Sequence, residues 1–385
     1  MTTTTRVSNA NMMTFSEKLS RFSWVLFIPM CIVLALSLVV LYSAGGGSWT
    51  TFAMSQLLKI IFGMVIFFGV AFSNIKTWIK SAYFIYAIAL ILIVLVTFIG
   101  DVGMGAQRWL SVGGINIQPS EFIKIALVLA LARYFAWQNS VELTQFKNYL
   151  VPIALLLVPF ILICAQPDLG TGISLALITV GMFYIVGANK KWFLIAGILA
   201  LMAAPAVWYG AMHDYQRGRI ITFLNPEMDS RGAGYQINQA KIAFGSGGII
   251  GKGYLSGTQA QQSFLPEKQT DFIFTMLGEE FGFIGAFLLL IIYSFIVVVL
   301  FWSAKMCRNR FGQLICFGFM LNFFIYYSIN ISMVLGLMPT VGVPLPLMSF
   351  GGSSLISLLF GFGLCQNAHR SEERRVGKEC RSRWS

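Results

Sequence analysis

The chain has 385 residues, 57% hydrophobic and only 11% charged, and its 27 basic and 15 acidic side chains leave a net charge of +12. Soluble domains carry about 25% charged residues, so this balance excludes a soluble enzyme and points to a polytopic membrane protein. Lipid cannot satisfy open sheet edges, and the apolar runs are too long and uniform for the alternation of a membrane barrel, which leaves an all-α bundle.

Residues 1–23 are polar and rich in Ser and Thr, without the short apolar core and cleavage site of a removable signal, and read as a cytoplasmic N-terminal segment. A transmembrane domain over 24–368 follows. A span needs roughly 20 apolar residues, and ten stretches qualify: 24–43, 54–73, 80–100, 121–136, 150–166, 170–187, 192–210, 272–302, 312–337 and 351–368. Lys and Arg mark cytoplasmic loops. With the N-terminus inside, Lys76, Lys80, Arg133, Lys147, Lys190, Lys191, Lys305, Arg308 and Arg310 all fall on the inner side, whereas the outer stretches 44–53, 167–169 and 338–350 hold no basic residue and 101–120 only Arg108. The long 211–271 loop then faces outward. A basic tail, 369–385, breaks from the preceding composition and reads as a solvated segment or as non-native sequence, with no assigned function.

Charged groups at membrane depth are costly and usually line a site or a water-filled cavity. Four outward-facing clusters carry them or lie beside them. In Gln118-Pro-Ser-Glu-Phe-Ile-Lys124, Pro119 and Ser120 suit a helix start, and Glu121 falls in its first turn. Glu121 and Lys124, three apart, share a helical face, either as an internal ion pair or as a cation with its positioning carboxylate at a headgroup site. Asp168, in the turn Gln166-Pro-Asp-Leu-Gly-Thr-Gly172, reads as a helix cap or as part of a site.

The third cluster closes the long loop: Phe264-Leu-Pro-Glu-Lys-Gln-Thr-Asp271, with Pro266 stiffening the approach, Lys268 offering a phosphate-compatible charge and Asp271 at the mouth of the eighth span. Glu279 and Glu280 lie two turns deeper and cannot point the same way, so one is expected to pair inside the bundle. The fourth, the Pro-rich run Met338 to Ser354, ends in a Gly-opened helix start able to offer N–H groups to an anion. Gly245-Ser-Gly-Gly-Ile-Ile-Gly251-Lys252 lacks the spacing of a phosphate loop. Hydrolase motifs are missing, the six cysteines form no C-x-x-C pair, and two histidines are too few for a histidine metal site. An outward carboxylate among cations suits group transfer on a lipid phosphate; it also suits an ion-coupled transporter.

The stretches Arg108-Trp-Leu, Gln118 to Lys124, Gln166 to Thr171, Phe264 to Phe274, Gly278-Glu-Glu280 and Pro344-Leu-Pro-Leu-Met-Ser349-Phe-Gly-Gly-Ser353-Ser354 together resemble the SEDS family (shape, elongation, division and sporulation) of cell-wall proteins. Gly257-Thr-Gln259 is closer to its rod-elongation branch than to its division branch. Lys268-Gln269 and Phe350 stand where the family more often has Arg-His and Tyr, and the resemblance stops short of the tail. It implies ten spans and a peptidoglycan glycosyltransferase that polymerises lipid II on the outer face of the inner membrane during elongation. It also implies a class B penicillin-binding transpeptidase as partner, beside the membrane lipids and with no nucleic acid. Asp271 matches the family's essential aspartate, and Glu121 and Lys124 match a pair at its polar cavity.

On that basis Asp271 is the expected catalytic base, and Arg108, Glu121, Lys124, Asp168, Lys268, Ser349 and Ser353 are the expected substrate-binding residues. No metal ligand is assigned; a divalent cation such as Mg or Mn would add to the positive charge, and the sequence leaves that open. The competing readings are a lipid-linked precursor flippase and a non-catalytic scaffold for the transpeptidase.

Overall fold

The structure, a computed structural model, describes residues 22–383 apart from 104–105, 113–114, 140–142, 144, 213, 226–231 and 259–266. Twelve helices dominate it: α1 Trp24–Ala44, α2 Met54–Phe72, α3 Ile75–Ile99, α4 Pro119–Ala136, α5 Leu150–Ala165, α6 Leu169–Val186, α7 Lys190–Ala206, α8 Asp214–Leu224, α9 Ala233–Ser246, α10 Ile273–Met306, α11 Arg310–Val334 and α12 Gly352–Arg383. Helices stand at all ten positions where apolar stretches were expected. Eight of the helical segments are long and apolar enough to cross a membrane; α4 and α12 are not among them. The polytopic all-helical class therefore holds.

Local sequence fixes where the helices begin. Asn74, Asn189 and Asn309 each accept a hydrogen bond from the backbone N–H two residues on, at 3.1 Å, and so cap α3, α7 and α11. Pro119 occupies the first turn of α4, where its missing N–H costs nothing. Helix α4 is buried along nearly its whole length, as is most of α11, whereas α7 has no buried residue. The two central helices approach closely because Gly318 leaves room: a Cβ there would lie 2.5 Å from Val128. Glu121 and Lys124 on α4 are thereby carried into the interior.

Two features depart from the expected pattern. A small antiparallel meander, β1 Asp101–Gly103, β2 Ala106–Val112 and β3 Ile115–Ile117, fills the connection between α3 and α4. It lies outside the apolar stretches, so the rule against open sheet edges in lipid does not bar it. The 211–271 loop, which shows no clean periodicity in the sequence, holds α8 and α9.

After α9 the chain turns back onto α10. Gly282 breaks α10 with φ 66° and ψ −162°. Phe283 and Ile284 donate their N–H groups to Gly248 O and Ile249 O at 2.9 and 3.1 Å, while Lys252 and Gly253 donate theirs to Glu279 O and Glu280 O at 3.0 and 3.1 Å. This backbone clasp is why the segment is rich in glycine. A Cβ on Gly251 would come within 2.1 Å of Glu280 O, and one on Gly282 within 2.3 Å of Gly251 N. Irregular backbone beside an apolar helix is tolerated because each helix break is answered by a partner.

Candidate active site

The N-terminal ends of α4, α6 and α10, the C-terminal part of α11 and the Pro-rich loop before α12 meet around Asp271. A tight turn leads into α10: Thr270 Oγ1 donates to Glu267 Oε2 at 3.1 Å and to Glu267 O at 3.2 Å. Glu267 has a φ of +58°, the left-handed region that side chains other than glycine seldom adopt. Three bonds hold that turn. Ser349 Oγ donates to Thr270 O at 2.6 Å and accepts from Leu345 N at 2.8 Å, and Phe350 N donates to Gln269 O at 2.8 Å. Asn330 Nδ2 on α11 donates to both Asp271 O and Val343 O, at 2.9 and 2.7 Å. Ser349 is thus a brace under the turn.

Asp271 itself is partly buried. Burial pushes its carboxyl up to about 6, with Glu267 and Asp168 adding to the rise and Arg219 and Arg108 opposing it. Burial also lowers the neighbouring Lys268 ammonium. The charges of two guanidinium groups thus bear on the Asp271 carboxyl. Arg219 comes from α8, where its Nη1 donates to Thr340 O at 2.7 Å. It counts in the sequence among six loop cations with nothing to single it out; only the fold brings it to the site.

Arg108, on β2, is tied to the turn before α6. Its Nε donates to Gln166 O at 3.2 Å, its Nη2 donates to Pro167 O, and its Nη1 lies 3.9 Å from Asp168 Oδ1. Asp168 does cap α6, accepting from Thr171 N at 3.3 Å and from Thr171 Oγ1 at 3.0 Å. Glu121 and Lys124 form the ion pair, at 2.8 Å, with the ammonium 3.4 Å from the centre of the Tyr326 ring. Both are sealed from solvent, with 3% and 2% of their surface exposed. Ser353 Oγ accepts from Gln118 N at 2.8 Å and joins the start of α12 to that of α4.

Glu279 and Glu280 behave otherwise than expected, because both pair inside the bundle. Glu279 takes Lys252 at 2.8 Å and Thr258 at 3.2 Å, while Glu280 accepts from Ser43 Oγ on α1. They secure the clasp. Pro266 and residues 259–265 lie outside the described residues. Among the described residues no three His, Cys, Asp or Glu side chains gather to hold a metal ion.

The sequence is 42% identical to the peptidoglycan glycosyltransferase MrdB of Escherichia coli strain K12, across 94% of this chain and 96% of that protein. It is 34% identical to the stage V sporulation protein E of Bacillus subtilis, across 90% and 96%. Its fold matches a chain from a peptidoglycan synthase complex that coordinates polymerization and crosslinking, with a TM-score of 0.79, 29% identity and 91% and 98% of the two chains covered. The rod shape determining protein RodA of Thermus thermophilus matches with a TM-score of 0.70, 27% identity and 91% and 97% coverage. Residues 17–374 match the FtsW/RodA/SpoVE cell cycle protein family, and the chain belongs to that family.

Proposed function

We infer that the chain is a peptidoglycan glycosyltransferase of rod elongation, the activity named for its relative at 42% identity. Lipid II is the substrate that suits the site, and Asp271 is its general base. The observation that carries this reading is the Asp271 carboxyl, partly buried, raised by burial to about 6 and under the opposing charges of Arg219 and Arg108. A base works best with a pKa near the working pH. In the reaction a sugar hydroxyl of one lipid-linked unit forms a bond to the anomeric carbon of another. The bond from that carbon to the polyprenyl pyrophosphate breaks, and the hydroxyl proton passes to Asp271. Pyrophosphate leaves readily, so cations at the leaving oxygen matter more than a strong acid. Arg108, Arg219 and Lys268 supply that charge, and Lys124, buried behind them, adds positive charge that Glu121 partly cancels. Ser349 and Ser353 fix the turn and the helix start beside the site.

Ten spans, both termini inside and α8 and α9 on the outer face of the inner membrane put this site where the polymer grows. A class B penicillin-binding transpeptidase is the partner that would crosslink the product, in keeping with the synthase complex whose chain this fold matches. The test is gel separation of glycan strands made from lipid II by purified protein with that transpeptidase. Asp271→Asn should polymerise about 10²–10⁴-fold more slowly. Strands made by Asp271→Asn at the normal rate would rule out the base. Transfer of fluorescent lipid II across vesicles with no glycan made would favour a flippase instead.

A further inference from the structure

Asn330 lies in the last turns of the apolar helix α11, and none of its surface is exposed. A buried amide is costly unless its polar atoms are bonded. Its Nδ2 donates to two main-chain carbonyls outside any helix, Asp271 O at 2.9 Å and Val343 O at 2.7 Å, while its Oδ1 has no partner. Helix α10 opens its own bonding at Phe272 O, which accepts from Thr275 N and Met276 N at 3.0 and 3.4 Å, so Asp271 O is satisfied from α11 instead. Val343 follows Gly342, whose φ of +70° admits few side chains. A Cβ on Gly342 would meet Asp271 Oδ2 at 3.6 Å. The glycine backbone is therefore one wall beside the carboxylate. A single amide fastens that wall and the carboxylate's own backbone to the same point on α11.

The same loop bears on the charges at the site. Thr340 O accepts from Arg219 Nη1 at 2.7 Å, and Val341 N donates to Met333 Sδ at 3.4 Å, one turn beyond Asn330. The charged groups around Asp271 are Glu267 and Lys268 in its own turn, Asp168 before α6, Arg108 on β2 and Arg219 on α8. Residues 322–349, which pack on it from α11 and the Pro-rich loop, hold no charged side chain. What they contribute is exclusion of water. We propose that Asn330 is a positioning residue for the reaction: by tying Asp271 O and Val343 O to one amide, it holds the carboxylate against the Gly342 backbone and keeps water from that side. The proposal rests on Asp271 as the base and adds what sets the surroundings in which that base works. With no exposed surface, Asn330 acts through Asp271 and not on substrate.

The experiment follows the rate of strand formation from lipid II against pH, on the full chain with the transpeptidase. The ionised carboxylate is the base, so the rate rises with pH through its pKa, and a lower pKa moves that limb to lower pH. Burial is the largest cause of the rise of the Asp271 carboxyl from the ordinary 3.8 to about 6. Asn330→Ala opens the Gly342 side to water. It should move the limb down by roughly half that rise, about 1 pH unit, and lower the plateau by up to about 100-fold through misplacement. A loosened Arg219 would pull the other way, but that cation is a smaller cause than burial. Gly342→Ala sets a methyl against Oδ2 and should move the limb to higher pH. An amide that only supports the fold would reduce the amount of active protein and leave the limb in place. An unmoved limb in Asn330→Ala, with the wild-type limb near 6, therefore overturns the proposal and leaves Asp271 as the base. Should Asn330→Ala fail to fold, Gly342→Ala answers the same question, and a limb at or below the wild-type position overturns the proposal. A wild type without a limb near 6 would remove the base and the proposal together.

Discussion

The buried pair Glu121 and Lys124 offers a way to separate architecture from chemistry. At 2.8 Å and an effective dielectric near 20, the attraction is about 6 kcal/mol. The Tyr326 face beneath the ammonium adds about 2 kcal/mol. Against this, removing two charges from water costs several kcal/mol per ion, so the intact pair comes close to breaking even. Removing one partner is different. Glu121→Gln strands the ammonium, sealed at 2% exposure, and should cost about 3–5 kcal/mol. The double variant Glu121→Gln, Lys124→Met strands nothing and should regain wild-type stability or exceed it. Unfolding would be followed by SDS titration in mixed micelles, and polymerisation by strand formation from lipid II. If Lys124 charge serves the reaction, the stable double variant should still polymerise about 10–150-fold more slowly, the range of a charged hydrogen bond. A double variant that is stable and polymerises at the wild-type rate would show that the pair only fixes the bundle. A cost below about 1 kcal/mol for Glu121→Gln would refute the electrostatic argument itself.

Because Asp271 must be ionised to accept a proton and its carboxyl titrates at about 6, strand synthesis should rise as pH increases through that value; Arg219→Gln, which removes a cation that lowers it, should move this limb to higher pH. A limb left in place in Arg219→Gln would break the link between the two residues. Gly251→Ala and Gly282→Ala combine a left-handed φ with a backbone clash and should each cost at least about 2 kcal/mol, read as earlier loss of structure on heating in detergent and protease cutting within 247–258. Stopping the chain after Arg370 should preserve rod-shape rescue, whereas stopping after Ala368 removes the bond from Arg370 Nη2 to Ser73 O at 2.7 Å and should lower the yield of folded protein. For the topology, an impermeant thiol reagent should label Asn238→Cys in intact spheroplasts and Trp137→Cys only after lysis; the reverse pattern would invert the site.

The helices were legible because apolar runs of span length leave little choice of structure, and the Asp271 turn because charge at a span mouth is rare enough to notice. Glu121, Lys124 and Asp168 were legible as types and places, though their two possible roles each were not separated by sequence. Ser349 and Ser353 sit where the resemblance put them, yet their hydroxyls bond to Thr270 and Gln118 within the protein. Arg219 was hidden because its role depends on how α8 folds over the Thr340 loop, a long-range contact with no periodic signal. Asn330 did carry a signal, a polar group within an apolar span, of the same kind that marks Glu279. Arg370, the first of the tail's basic run in the sequence, is buried against α2 and the Ser73 turn. The meander was invisible to a rule that concerns lipid, since it lies outside it.

The clasp on α10 bears on how the protein is made. In the proposed topology a helix carrying Glu279 and Glu280 would reach the translocation machinery after Lys252 has been exported; both carboxylates are fully buried in the finished bundle. Their partners come from opposite directions, Lys252 from the returning loop and Ser43 from the first span. The eighth span thus cannot settle as an independent insertion unit, because its acids would face lipid unpaired. In that topology its insertion would wait on the first span and on the Lys252 segment folding back toward it, a late and cooperative step in biogenesis. Substitutions in the clasp should consequently appear first as shortened lifetime of the newly made protein, before any defect in the reaction can be measured.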